Sequence, residues 1–321
     1  MTKAISDENN EVRHLYDIFE ESVVDLTKIR KKPVLVMYYG DVAGSISNID
    51  LKTLEQTFEN HLNKFGKKHF RSLDFIIHTT GGDANTSYRL IQLIRSYTDN
   101  LTALVPKHAY SGGTLITFGS DIIEMGRTAT LSPIDVQLGS ESRTFPLLAI
   151  ENYIEFISDC AKKYGFREEE NKARFVTKLT EQLLEEISPQ ELGEFFRLRS
   201  LTIHHAKTLL TNYMFKNNSM KENFANEIIS RFTKDTPTHA FEMDYNLVKN
   251  SMLSVRLMDD KTYKLTQSIL EIVETLKNQG AICEFFPYNA RRRMPYFQIF
   301  DGNSEPREGD DDGKKRISKR G

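Results

Sequence analysis

Residues 105–126, "VPKHAYSGGTLITFGSDIIEMG", run from an apolar strand-like segment through a serine followed by two glycines into an apolar, helix-like segment. Reading outward from this stretch decides the fold. Upstream, "LDFIIHTT" (73–80) is β-branched and aromatic and reads as a buried strand, "GGDAN" (81–85) as a glycine turn, and "TSYRLIQLIRSY" (86–97) as an amphipathic helix. Further upstream the same unit occurs in "PVLVMYYG" (33–40), a strand closed by glycine, and a helix with Leu51, Leu54, Phe58 and Leu62 on one face. "LTALVPK" (101–107), the turn around Ser111 and "TLITFGS" (114–120) make the third unit. Strands alternating with helices at this spacing predict an α/β fold with crossover connections.

The flanks predict elaboration of that core. Residues 10–30 carry apolar residues near the helical period, and Pro33 ends the run. Residues 147–233 are charged and helix-rich, with a capping box in "SPQEL" formed by Ser188, Pro189 at the first helical position and Glu191. Residues 237–258 read as turn, short helix and short strand, 261–278 as a helix, and 281–300 as two strands around the basic turn "RRRMPYFQ". From Asp301 to Gly321 apolar residues are almost absent, which predicts a disordered charged tail. The organisation expected is a helical extension over 1–31, one α/β domain over 32–300 elaborated at about 147–233, and the tail over 301–321.

Composition sets bounds on function. With 321 residues, 39% hydrophobic, the chain can bury a substantial core. Lys+Arg number 43 against Asp+Glu 45, a net charge of −2, so no bulk electrostatic footprint for nucleic acid is visible, and the basic turn at 291–298 reads as an exposed hairpin. Cys160 and Cys283 stand far apart and form neither a disulfide framework nor a metal-ligand spacing, which suits a reducing compartment. The acidic N-terminal stretch lacks the pattern of a signal peptide, and no apolar run approaches the roughly 18–20 residues that span a bilayer. A cytoplasmic location is therefore expected.

Both glycine turns stand where open α/β sheets place their sites, at the carboxyl end of a strand and the start of a helix. "GGD" at 81–83 fits no nucleotide-binding fingerprint but suits an oxyanion hole, whose paired N–H groups need an approach free of side chains. Ser111 admits two readings, as an N-cap of the following helix or as a nucleophile served by the adjacent Gly112 N–H. Asp135 in "SPID" reads as a turn residue, and His78 and His108 as strand and strand-end residues. The adjacent His204 and His205 lack the i, i+4 spacing of a zinc helix, so no metal and no cofactor are expected.

Taken in order, "TTGG" (79–82), "VPKHAYSGGT" (105–114), "DIIEM" (121–125) and "SPIDVQ" (132–137) resemble the Clp-fold serine peptidases, and within them the SDH family of serine proteinases related to signal peptide peptidase A. A weaker similarity continues at "PTHAFEMDYNLVKNSML" (237–253). The resemblance implies a Clp/crotonase-like fold, Ser111 as nucleophile, and an oxyanion hole from the amides of Gly81 or Gly82 with Gly112. It implies acyl transfer to a peptide or protein substrate through an acyl-enzyme. No histidine follows the serine at the distance Clp proteases use, so the resemblance points to the lysine base of the signal peptide peptidase relatives. Such a lysine must be buried for its pKa to fall toward neutrality. Lys207, sharing a helical face with Leu210, Thr211 and Met214, is the first candidate; Lys163 and Lys162 are its rivals, and His239 is a further one.

The same resemblance implies assembly into homo-oligomers and leaves peripheral membrane association open, with no nucleic-acid partner expected. Two alternatives stand beside the peptidase reading. One is a crotonase-like acyl-CoA enzyme that uses the paired amides without the serine; the other is a non-catalytic scaffold that binds peptides or proteins.

Overall fold

The computed structural model describes residues 2–39, 46–65, 69–135, 137–140, 143–163, 169–236, 238, 240–276, 281–286 and 299–300. In chain order the elements are α1 (Thr2–Arg30), β1 (Val34–Tyr38), α2 (Asn48–Phe65), β2 (Phe70–His78), α3 (Ala84–Ser96), β3 (Thr98–Val105), β4 (His108–Ala109), α4 (Gly112–Phe118), β5 (Ile122–Met125) and β6 (Thr130–Leu131). There follow β7 (Gln137–Ser140), β8 (Arg143–Pro146), α5 (Leu147–Lys163), α6 (Glu169–Glu186) and α7 (Pro189–Leu209), which runs on as a π-helical turn, Leu210–Met214. Last come α8 (Lys221–Thr233), α9 (Tyr245–Asn250), β9 (Val255–Leu257), α10 (Asp260–Leu276), β10 (Ala281–Phe286) and β11 (Ile299–Phe300).

One sheet organises the molecule, in the order β11-β10-β1-β2-β3-β5-β9. The run from β1 to β9 is parallel, and β10 adds to its edge antiparallel to β1. The repeated strand–helix units expected from the sequence are thus present, with crossovers between parallel neighbours. Strands β1, β2 and β3 read as near-continuous apolar runs because both faces of the sheet are covered.

Side-chain alternation divides these strands between two cores. Leu35, Met37, Phe75, Ile77, Ala103 and Val105 face the larger core, shared with α2, α3, α4, α7 and α8. Val34, Val36, Tyr38, Ile76 and Leu104 face the smaller one, closed by Phe19, Val23 and Leu26 of α1 and by Ile269, Leu270 and Val273 of α10. The N-terminal helix, read from the sequence as an extension, therefore forms part of a layer on the sheet.

At the start of α7 the capping box is formed: the Ser188 hydroxyl accepts the Glu191 N–H, and the Glu191 carboxylate accepts the Ser188 N–H at 2.8 Å. The turn at 291–298 and the tail at 301–321 lie outside the described residues.

Candidate active site

Two turns meet at the carboxyl ends of β2 and β3. The first, Thr79–Asp83, follows β2. Gly81 and Gly82 have φ of 115° and 147°, in the region that favours glycine. A Cβ on Gly82 would lie 2.3 Å from the Ile46 nitrogen, so this turn also needs glycine for space. Backbone bonds from Ile46 N–H to Gly81 C=O and from Asp83 N–H to Ile46 C=O, 2.9 and 3.1 Å, hold the chain there. Asp83 then caps α3 by accepting the Thr86 N–H at 2.7 Å.

Ser111 closes the second turn, between β4 and α4. Its φ of 48° and ψ of −111° are strained for a residue with a side chain, a feature that clusters at functional sites. Ser111 stands at the N-cap position of α4, but its hydroxyl makes no capping bond, so the side chain is not spent as a cap. Instead its backbone is pinned: the Ser111 N–H donates to Ser132 Oγ at 2.7 Å, and Gly113 N–H donates to Tyr110 C=O at 2.7 Å. Thr114 Oγ1 donates to Ala109 C=O at 2.7 Å and Ser132 C=O at 2.9 Å, and accepts the Ser132 N–H at 3.1 Å. Ser132 and Thr114 thus rivet the "SPID" segment to the nucleophile turn. Both belong to motifs singled out in the sequence, yet nothing in the pattern assigned them this task.

The turns touch. A Cβ on Gly81 would lie 2.9 Å from Ser111 Cβ, and one on Gly112 would lie 3.3 Å from the Gly82 nitrogen and 2.5 Å from Ser87 Oγ. Among the candidate oxyanion donors the structure separates two kinds. Gly81 N–H is committed to Thr79 Oγ1 at 3.0 Å. The N–H groups of Gly82 and Gly112 donate to nothing among the described residues. Two undonated amides beside a serine whose hydroxyl is likewise uncommitted are the parts an oxyanion hole needs.

They open onto a cavity of about 430 Å³. Thr80, Asn85, Asp83 and Asp135 supply polar groups, and Leu115, Ile134, Leu198 and Leu201 an apolar wall, with Thr202 beside it. Asp135, expected to be a turn residue, is 7% exposed and lines this cavity. Beneath the turns, His78 and His108 are buried with ring centroids 4.0 Å apart, flanked by Tyr38 on one side and Tyr110 on the other.

The candidate bases are placed elsewhere or lie outside the described residues. Lys207 pairs with Glu222 of α8 at 2.8 Å, is 40% exposed, and does not line the cavity. Lys162 pairs with Asp159 at 3.4 Å on the exposed face of α5. Lys163 ends α5 with its side chain outside the described residues, and His239 lies outside them altogether. Among the described residues no lysine or histidine lines the cavity, and no group of three or more His, Cys, Asp and Glu side chains could hold a metal. No described helix is long and apolar enough to cross a membrane.

Comparison with known proteins bears on the two turns. Residues 66–158 match the family described as ClpP-like SDH-type serine proteinase, a segment that contains Gly81, Gly82, Ser111 and Gly112 and stops before Lys162. Two proteins of Methanocaldococcus jannaschii are similar over the same order of length. MJ1495 is 34% identical over 87 residues, 27% of this chain and 30% of the relative. MJ0137 is 35% identical over 81 residues, 25% of this chain and 28% of the relative. The chain thus spans less than a third of the length of the curated relatives it matches.

Solved structures of a 1510-N membrane-bound stomatin-specific protease are more distant. A serine-to-alanine mutant is 13% identical, covering 70% of this chain and 79% of its own, with a TM-score of 0.38. A lysine-to-alanine mutant in complex with a substrate peptide is 15% identical, covering 77% and 81%, with a TM-score of 0.40. The family model, laid over the two turns themselves, supports the resemblance drawn from the four sequence motifs.

Proposed function

We propose that this chain is a serine peptidase in which Ser111 attacks the substrate carbonyl. The observation that carries the reading is the convergence, on one cavity, of a strained and uncommitted serine with the undonated amides of Gly82 and Gly112. A family match that covers these residues and describes a serine proteinase supports it.

Chemically, the Ser111 hydroxyl gives up its proton to a base as Oγ bonds to the carbonyl carbon. The Gly82 and Gly112 N–H groups stabilise the resulting oxyanion. Collapse of that intermediate breaks the C–N bond, the amine leaves with a proton, and water then hydrolyses the Ser111 ester. Gly81, whose N–H is held by Thr79, shapes the turn and does not donate in this scheme.

The base in this reading is a lysine of the dyad type. Lys207 and Lys162 are each engaged with a carboxylate, so of the three lysines Lys163 is the first to test, with His239 beside it. The apolar wall of Leu115, Ile134, Leu198 and Leu201 fits a peptide side chain entering beside the nucleophile.

Hydrolysis of an unbiased peptide mixture tests the proposal. Cleavage by the wild-type chain, abolished in Ser111→Ala with the circular dichroism spectrum unchanged, is expected; equal cleavage by both proteins rejects it. The cavity's lack of a described lysine or histidine favours one rival, a peptide-binding scaffold, which predicts peptide retention without cleavage in both proteins.

A further inference from the structure

His205 lies in α7 one helical turn beyond Leu201 and Thr202, which line the cavity. It is only 6% exposed, and neither ring nitrogen has a protein hydrogen-bond partner among the described residues. Its ring stacks on Tyr88 of α3, with centroids 3.9 Å apart and planes 9° from parallel. Buried polar groups without partners are costly and uncommon, so an imidazole kept this way calls for a physical explanation.

We infer that His205 is a positioning residue for the cavity: its uncharged ring, stacked on Tyr88, keys the α7 wall to α3, and taking up a proton releases that wall. The inference rests on the peptidase reading only for its consequence in catalysis; the packing argument stands without it.

Consider what a proton would do. The uncharged ring lies flat against Tyr88 with one N–H unpaired, whereas an imidazolium in the same place would be a buried cation with two N–H donors and no acceptor among the described residues, a larger cost. Burial accordingly holds the His205 pKa below the ordinary histidine value; the neighbouring His204 lowers it further, and Asp83, at the start of α3, opposes both. From the other elements packed on α7, α4 carries no titratable side chain, and on α8 Glu222 is already paired with Lys207.

The sign follows. The unfolded or released segment takes up its proton first as pH falls through about 6.5. The keyed arrangement is therefore most stable above that pH and weakens below it. Protonation would thereby loosen the hold of His205 on Tyr88 and with it the stretch of α7 that carries Leu201 and Thr202.

Hydrogen exchange of the segment 198–205 at pH 7.5 and 5.5, corrected for intrinsic rates, measures the release directly, and the rate of fluorophosphonate labelling at Ser111 is followed in parallel. In the wild-type chain, protection of 198–205 is expected to fall several-fold at pH 5.5 relative to β1–β3. The variant His205→Phe keeps a ring on Tyr88 but cannot titrate, so it should hold equal protection at both pH values, while the acid-side fall in labelling owed to the base persists. If it fails to fold, His205→Gln serves the same comparison. An equal acid-side loss of protection in the non-titrating variant, or none in wild type, overturns the inference. Absence of labelling at pH 7.5 in wild type would instead count against Ser111 as nucleophile, while the exchange data still decide the role of His205.

Discussion

The two ends of the sheet are built on opposite principles. Where α1 meets the amino-terminal part of the strands, buried charge is saturated with partners. Arg30 reaches both carboxylate oxygens of Glu124 at 2.8 and 3.0 Å and also contacts Asp74, while Lys32 bonds Asp74 at 2.8 Å and Arg256 adds a further bond to Glu124. At the carboxyl end, Ser111 carries a strained backbone and a hydroxyl that, like two nearby amides, has no partner among the described residues. One end spends its polar groups on holding the fold; the other leaves them open toward a cavity. The contrast supports the proposed place of function without appeal to any family resemblance.

Breaking the saturated end should have the largest effect on stability. Replacing Glu124, which is 1% exposed, by alanine leaves Arg30 with Asp74 alone and takes the carboxylate from the more exposed Arg256, and should cost about 3 kcal/mol in urea unfolding. Ser111 should remain reactive in whatever fraction stays folded. At the open end, Gly82→Ala must move a Cβ away from Ile46 while holding a positive φ. Loss of one oxyanion donor should lower turnover by about 10²–10³, measured as kcat on a cleaved peptide, with a smaller loss in Tm than for Glu124→Ala.

A third test sharpens the comparison by linking the open end to pH. Asp50 in α2 accepts the Ser47 N–H at 2.7 Å, one residue from the Ile46 that brackets Gly82, and burial pushes its carboxyl up to about 6 despite bonds from Ser47 and Tyr39 that lower it. An acid with a raised folded pKa favours the fold most below its unfolded value and loses that contribution as pH rises through about 6. The free energy of urea unfolding should therefore decline between about pH 4 and 6 by up to about 3 kcal/mol, and Asp50→Asn should flatten the slope. The smallest effect belongs to an exposed cap far along α7 from the cavity wall: Ser188→Ala should cost about 1 kcal/mol and leave turnover unchanged.

Much of this contrast could be read in the chain, and the unread part has a common cause. Strand–helix alternation, the two glycine turns and the Ser188 box are local patterns, and each stands where its period or spacing places it. Ser111 was legible as a site but ambiguous between cap and nucleophile, because the choice depends on its φ, which no neighbour in sequence dictates. Likewise the difference between Gly81 and Gly82 as donors turns on Thr79 Oγ1 folding back two residues. Long-range partners were hidden altogether. The amphipathic face of α7 drew attention to Lys207, but its ion pair is with Glu222 on the next helix, and only packing shows His205 against Tyr88. In the same way, the apolar period of α1 predicts a helix without saying that it covers the sheet beside α10.

The central claim, that the open end does covalent chemistry through Ser111, is tested most directly by mass spectrometry after treatment with a fluorophosphonate. A single phosphonyl adduct on the peptide containing Ser111, lost in Ser111→Gly although that variant relieves the positive φ and melts no lower than wild type, is the result predicted. No adduct on the folded protein, or an adduct that persists in Ser111→Gly, would contradict it.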